Sequence, residues 1–539
     1  MGCCKCEQYK WPHPLDATIT DRDGHRYCLL HAPAPLKTNR DKEIQTLIRN
    51  IILNKTSNKR PTSPSQNTPV KLTGIIIPCH IDLSGLNIPE IDFSNSKFLG
   101  YFKIKNATFL GTARFINCKF FKNANFVKAT FSNKTYFEST SFYSLVSFDK
   151  AIFIERASFE DIHFFKTTKF NYSTFNTYSS FSKIKFHSTS EFNNSTFERG
   201  ISFSNITFES DAHFIFSTIG LDTDSYSIFN NIKSDTNTAI AISKSHIYSS
   251  IKFVSLKTEG KMSFDNTVFH SRSSFVESDM GNASFRHCHF LTPPTFEKVD
   301  FRRTELLGAP VENFRIMACT WPLSNGRSIT YDARKANGHG FFDIENVRAA
   351  SEFPKKQSEL QAPKAKHLED LYRRLKKAAR EEMDEPLASD FHYAEKEMQR
   401  FRSKNQFHNR IESRHWPERP LSATEEFRGG ALWIALSIYK LISGYGEDPK
   451  RALIILLLFI LSPYFVLHIL HTWYPELFAD LALSSDVLLT QWLSFIPLAK
   501  IPEQNTTSPL ARWMMLFFQV TITLQAALFG FALRNRFRR

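Results

Sequence analysis

Four side chains near the start of the 539-residue sequence have the types and spacing of a metal site. Cys3-x-x-Cys6 is followed by Cys28-x-x-His31. Two knuckle-like pairs of sulfur and nitrogen ligands suit a closed tetrahedral site. Cys3, Cys6, Cys28 and His31 are the expected ligands, and a structural zinc is the expected cofactor. A full set of four leaves no open position for catalysis. Asp23-Gly24, between the pairs, supplies a turn that folds one onto the other. Cys4 is a spare, or replaces Cys3. Two other readings compete. One is a frayed terminus with adventitious thiols. The other is a lipidation leader at Met1-Gly2-Cys3-Cys4, weakened because Cys6 stands where myristoylation wants Ser or Thr.

Other chemistry is scarce. No phosphate loop, nucleophile elbow, H-E-x-x-H or two-carboxylate arrangement is found, so the chain is expected not to be an enzyme. Glu395 and Glu397 are two residues apart and diverge on a helix, which makes a poor acid/base pair. His163, His187 and His287 are expected to be exposed. Lys and Arg number 68 against 53 Asp and Glu, a net charge of +15. That charge alone would suggest nucleic acid or anionic lipid. Met1 to Lys10 lacks the apolar core of a signal peptide, so reduced thiols and a cytosolic N-terminal part are expected. Triplets such as Asn106-Ala-Thr are then given no glycosylation meaning.

The elements that must position these residues are set by phenylalanine, at 52 residues against 19 Gly. From Phe109 through Phe115, Phe120, Phe126 and onward to Phe214, Phe recurs in alternating steps of five and six without a failure. Phe93, Phe98 and Ile104 extend the series backwards. Small residues such as Ala107, Ala113, Ala124 and Ala157 stand two before many of them. Neither the 3.6-residue helical period nor the period of two of a flat sheet fits. A coil that turns a corner about every five residues does, with Phe stacked over Phe at ~4.8 Å. Each buried Phe contributes roughly 1.5–3 kcal/mol, offsetting the ordering cost of a Ser/Asn/Lys-rich chain.

The pattern over about residues 72–307 resembles the pentapeptide-repeat family. That resemblance implies a mainly β fold, a right-handed quadrilateral β-helix. The extra residue in alternate units departs from the common form and implies twenty-two residues per four-faced coil. Residues Leu221 to Asn237 have no register, giving a break near 221–238 read as a loop extruded from one corner; a one-residue slip precedes Phe285. The leader 1–35, ending in Tyr-Cys28-Leu-x-His31, is similar to one preceding some members of the family. Residues 36–71 are expected to be a polar linker or cap, and 308–363 a second.

Beyond the repeat the period becomes helical over 364–405. Leu368, Leu371, Tyr372, Leu375 and Ala379 form one stripe, and Leu387, Phe391, Ala394, Met398 and Phe401 another. Asp384-Glu385-Pro386 turns between them, and most of the charges are expected to form a solvated face. This stretch, and Tyr439 to Glu447, resemble segments joining repeats to membrane helices in bacterial relatives. After the juxtamembrane residues 406–451, spans are expected at 452–470 and 512–533, each long enough for ~30 Å of hydrocarbon. Lys450, Arg451 and the basic tail 534–539 put both charged ends inside. The loop 471–511 then faces outward, with a surface or re-entrant stretch at 481–499. Gly444-Tyr445-Gly446 looks like part of a potassium filter but precedes the first span, where no filter can work.

The leading expectation is a scaffold or interaction protein at the inner face of the bacterial membrane, with lipid and an unidentified protein as partners. The alternative is a homo-oligomeric, channel-like pore with the β-helix as sensor or platform. DNA mimicry would need an acidic surface, so no nucleic acid is expected.

Overall fold

The phenylalanine spacing becomes a coil because each inward ring meets its counterpart one coil later. Phe115 is in register with Phe137, and Phe137 with Phe159; Phe109 is in register with Phe131, and Phe131 with Phe153. In the computed structural model, which describes residues 2–11, 15–56, 69–221, 224–336, 365–408, 423–480, 492, 495–497 and 509–537, these pairings build a β-helix of about 11 turns. Short parallel strands stack on four faces: two sheets of ten strands and one of nineteen that bends round a corner. The chain divides into two compact units, Met1–Pro322 with Thr330–Arg334, and Leu323–Ile329 with Lys335–Arg539.

In the first unit the core is a set of ring columns. Phe109–Phe131, Phe131–Phe153 and Phe126–Phe148 stack at 4.6, 4.7 and 4.6 Å, close to the separation of paired strands. The small residues also point inward, Ala107, Ala113, Ala124 and Ala157 being fully buried. At some positions where Ser or Thr replaces Ala, the hydroxyl donates to a carbonyl of the coil. Ser195 Oγ reaches Phe170 O at 2.6 Å and Thr140 Oγ1 reaches Phe115 O at 2.7 Å, so burial leaves neither group unpaired. The five-residue corners turn through one left-handed residue each, among them Asn95, Asn106, Asn117, Lys128 and Ser139, with φ between 48° and 62°. Asn tolerates that region best of the non-glycine residues.

The expected break is corrected. Residues Tyr226–Ser234 form a strand of nine residues within the ladder, and Phe229 stacks between Phe203 at 5.1 Å and Phe253 at 5.2 Å. Phe203 pairs with Phe229 where the regular period would place position 225. A short insertion thus shifts the phase without stopping the coil, and a strict spacing rule loses the register there. Of this stretch, residues 222 and 223 lie outside the described residues. One histidine expectation also changes. His163 and His287 are exposed, but His187 is half-buried, stacked on Phe165 at 4.6 Å and paired with Glu209 at 2.7 Å.

Both ends of the coil stack are covered. The leader contributes helix α1 (Cys4–Gln8) and the hairpin Ile19–Thr20/Arg26–Tyr27. Helix α2 (Asp41–Thr56) follows, inside the stretch read as polar linker or cap. It buries Ile44, Ile48 and Ile52, four apart on one face, and Gln45 donates to His80 O at 2.8 Å. At the other end Trp321 stacks on Phe301 at 4.7 Å, and helix α3 (Tyr331–Ala336) brings in Asp332. Such covers shield strand edges that would otherwise pair with other chains.

Asp332 accepts from Leu306 N at 2.8 Å and Leu307 N at 3.1 Å. Burial outweighs these donors and, with Glu305 nearby, pushes its carboxyl from 3.8 up to about 6. Between those values the folded state keeps a proton that the unfolded state has released. Stability contributed here is therefore fully present below about pH 4 and falls as pH rises to about 6, by on the order of 2–3 kcal/mol. Thermal unfolding of the native chain and Asp332→Asn should diverge across that window. Parallel pH profiles would refute the assignment.

The second unit is helical. Helices α4 (Ala365–Glu381) and α5 (Glu385–His408) form an antiparallel hairpin around Leu368, Leu371, Tyr372, Leu375, Phe391 and Met398. Helix α6 (Ala423–Ser443) packs on α5. Helix α7 (Pro449–Trp473), the short α8 (Pro475–Asp480) and α9 (Pro509–Phe537) complete it. Of the stretch 481–499 only 492 and 495–497 are described. Trp492 Nε1 donates to Ile460 O at 2.7 Å, halfway along α7, and Phe495 is buried beside Leu467, Met514 and Phe518.

Candidate metal centre

The structure brings Cys3, Cys6, Cys28 and His31 together, all four buried. Cys3 and Cys6 lie at the start of α1, and Cys28 and His31 follow the hairpin, whose turn at Gly24 has φ +83°. Asp21 Oδ1 fixes that turn by accepting from Asp23 N at 3.0 Å and His25 N at 2.8 Å. The hairpin returns the second ligand pair to the first.

The ligand atoms are spaced for a tetrahedral ion. His31 Nδ1 lies 3.7, 3.4 and 3.2 Å from the sulfurs of Cys3, Cys6 and Cys28, and the Cys6 and Cys28 sulfurs are 3.7 Å apart. A tetrahedron built on Zn–S and Zn–N bonds of ~2.3 and ~2.0 Å has edges of roughly 3.5–3.8 Å. His31 Nε2 lies 2.9 Å from Thr73 O. A carbonyl only accepts, so Nε2 carries the proton and Nδ1 turns its lone pair to the sulfurs. Burial pushes the imidazole pKa down to about 4, which keeps it neutral. Burial opposes ionisation at Cys3, yet the backbone N–H groups of Cys28, Cys6 and Lys5 hold its pKa below the usual thiol value. The other two thiols, Cys6 and Cys28, are pushed up, first by burial and also by their neighbours' charge. A divalent cation would displace those protons. The residues fit a metal ion.

Several supporting residues carry no sequence signature. Trp11 Nε1 donates to Thr73 O at 3.1 Å and its ring meets His31 edge-on at 4.6 Å. Gly74 has φ +74°, and a Cβ there would fall 2.0 Å from the Tyr9 ring, so the leader seats only on glycine. Lys37 is buried and donates to Leu30 O at 2.7 Å and Ile76 O at 2.6 Å, tying the leader to the first coil. Burial draws its pKa down to about 7, against the pull of the Cys28, Cys79 and Cys3 thiols. Cys4 is half-buried and outside the cluster.

The centre is thus built into the cover of a phenylalanine-cored β-helix, and residues 126–174 of that helix match the family model for pentapeptide repeats (9 copies). This is a pentapeptide-repeat protein. No curated protein and no solved structure matches the chain.

In its helical unit, this pentapeptide-repeat protein refines a further expectation. The charges of the hairpin are not all on a solvated face, because Glu369, Glu395 and Glu397 are buried. Glu395 and Glu397 diverge, as two helical residues so spaced must. Glu395 meets Lys376 and Arg373 of α4. Glu397 accepts from Tyr445, from Arg400 at 3.0 Å and from Lys440 at 3.1 Å. Gly444, Tyr445 and Gly446 all have positive φ, and the turn they make drives the Tyr445 ring, 1% exposed, onto Glu397. The triplet that looked like a filter fragment is a joint between α6 and α7.

Proposed function

We propose that this pentapeptide-repeat protein is a non-enzymatic scaffold, holding a rigid β-helix at a membrane through α7 and α9, with structural zinc in its N-terminal cover. The observation that carries this reading is the outward apolar surface of the two helices. Both are long enough to cross a bilayer, yet only 11% and 17% of their most apolar windows are buried, where the core helix of a soluble protein would be mostly buried. Leu457, Leu458, Phe465, Phe517, Val520 and Leu524 are exposed. By the basic residues flanking the spans, the β-helix and the C-terminus lie on the inner face of a bacterial membrane. The β-helix surface would receive a protein partner.

The full chain should therefore stay with membranes through alkaline carbonate extraction. Leu457→Lys with Leu461→Lys should release most of it, since each Lys costs about 2.5–3.5 kcal/mol at the centre of a span. Release of the native chain by carbonate would sink the anchor reading.

One observation favours a second reading, an oligomeric pore. Trp492 and Phe495 tuck against the middle of α7 and against α9, where a re-entrant segment of a two-helix channel would sit. Ion flux from proteoliposomes of the full chain, lost on Trp492→Ala, would support it; no flux at varied voltage leaves the scaffold.

A further inference from the structure

Among the described residues, nothing packs against one face of helix α6. Phe427, Ala431, Ile434, Ile438 and Leu441 recur in steps of four and three, so they form a single stripe along the helix. Phe427 is 77% exposed, Ile434 53%, Ile438 50% and Leu441 67%. The opposite side is engaged: Gly429 and Leu436 are buried, and Lys440 reaches Glu397 of α5. A continuous, wholly apolar stripe of this kind is unfavourable in water and marks a surface that something covers.

We infer that α6 lies in the plane of the membrane, with the Phe427–Leu441 stripe seated in the acyl boundary of the leaflet that α7 enters. This rests on the reading of α7 and α9 as spans. Helix α6 packs against both α7 and α9, and Gln525 of α9 donates to Ala452 O of α7 at 2.8 Å and to Ile442 O of α6 at 3.5 Å. The stripe ends at Leu441, and exposed apolar residues resume at Leu453 and Ile454 once the Gly-Tyr-Gly joint has turned the chain. Exposed Arg428 flanks the stripe, and Arg451, 45% exposed, stands at the start of α7, both suited to anionic headgroups. The same four-three spacing would also suit a coiled-coil seam with a second copy. The junction with two lipid-facing helices favours lipid.

The test uses the full chain in phosphatidylcholine–phosphatidylglycerol vesicles, with photoreactive p-benzoylphenylalanine placed singly at Ile438, at Leu457 of α7, or at the inward-facing Leu436. A second position on the stripe, Ile434, guards against a folding failure at the first. Lipid adducts at Ile438 and Ile434 should fall within about threefold of those at Leu457 and exceed those at Leu436 about tenfold. Lipid adducts at Leu457 but not on the stripe would overturn the in-plane helix and leave the spans standing. Covalent dimers from the stripe in place of lipid adducts would overturn it in favour of a second copy. Absence of lipid adducts at Leu457 as well would overturn the anchor reading and this inference together.

Discussion

Full-length protein purified without chelator is expected to carry about one zinc per chain, and the Cys6→Ser, Cys28→Ser double variant to carry none. Closing a four-ligand zinc site typically supplies about 10–16 kcal/mol, much of it realised as folding free energy. Here that energy would hold the cover on the first coil. The site reaches the coil through Thr73 O, and Lys37 and Trp11 bridge the same junction. Loss of metal should therefore loosen residues 2–56 and expose the edge at Val70–Lys71 and Ile76–Ile77. Metal content by atomic emission, followed by hydrogen exchange over those segments, reads both effects. Stoichiometric metal in the double variant, or none in the native chain, would remove the zinc reading while leaving the β-helix intact.

The second large effect is expected inside the ring columns. Phe159 is fully buried, stacked on Phe137 at 5.2 Å and Phe181 at 4.6 Å, with the edges of Phe148 and Phe170 at 5.8 and 5.5 Å. Phe159→Ala leaves a ring-sized void that rigid neighbouring coils cannot fill, and should cost about 3–5 kcal/mol. Because each coil touches only its neighbours, the loss should appear first as local opening around residues 137–181. Phe290 is only half-buried, so Phe290→Ala should cost less than half as much. Equal losses at the two positions, by urea unfolding with hydrogen exchange, would contradict the column picture.

Signals carried by one short stretch were legible without a structure. The alternation of five and six fixes which side chains point inward, because a coil must return to the same face after a set number of residues. The spacing of Cys3, Cys6, Cys28 and His31 picks out four residues that the fold brings together, and runs of uncharged residues show α7 and α9. What depends on partners distant in the chain was not legible. Phe229 regains its column only because the coils on either side define where the ring must sit. The histidine proton is placed by a carbonyl forty-two residues away, at Thr73. Glu397 reads as one more surface charge until Lys440 and Tyr445 fold over it. Ile44, Ile48 and Ile52 form a stripe too short to stand out from a polar segment until the β-helix end gives it a surface to bury. Local periodicity is written in the residues themselves, whereas burial and pairing belong to whichever surfaces the fold brings together, and only the tertiary structure decides those.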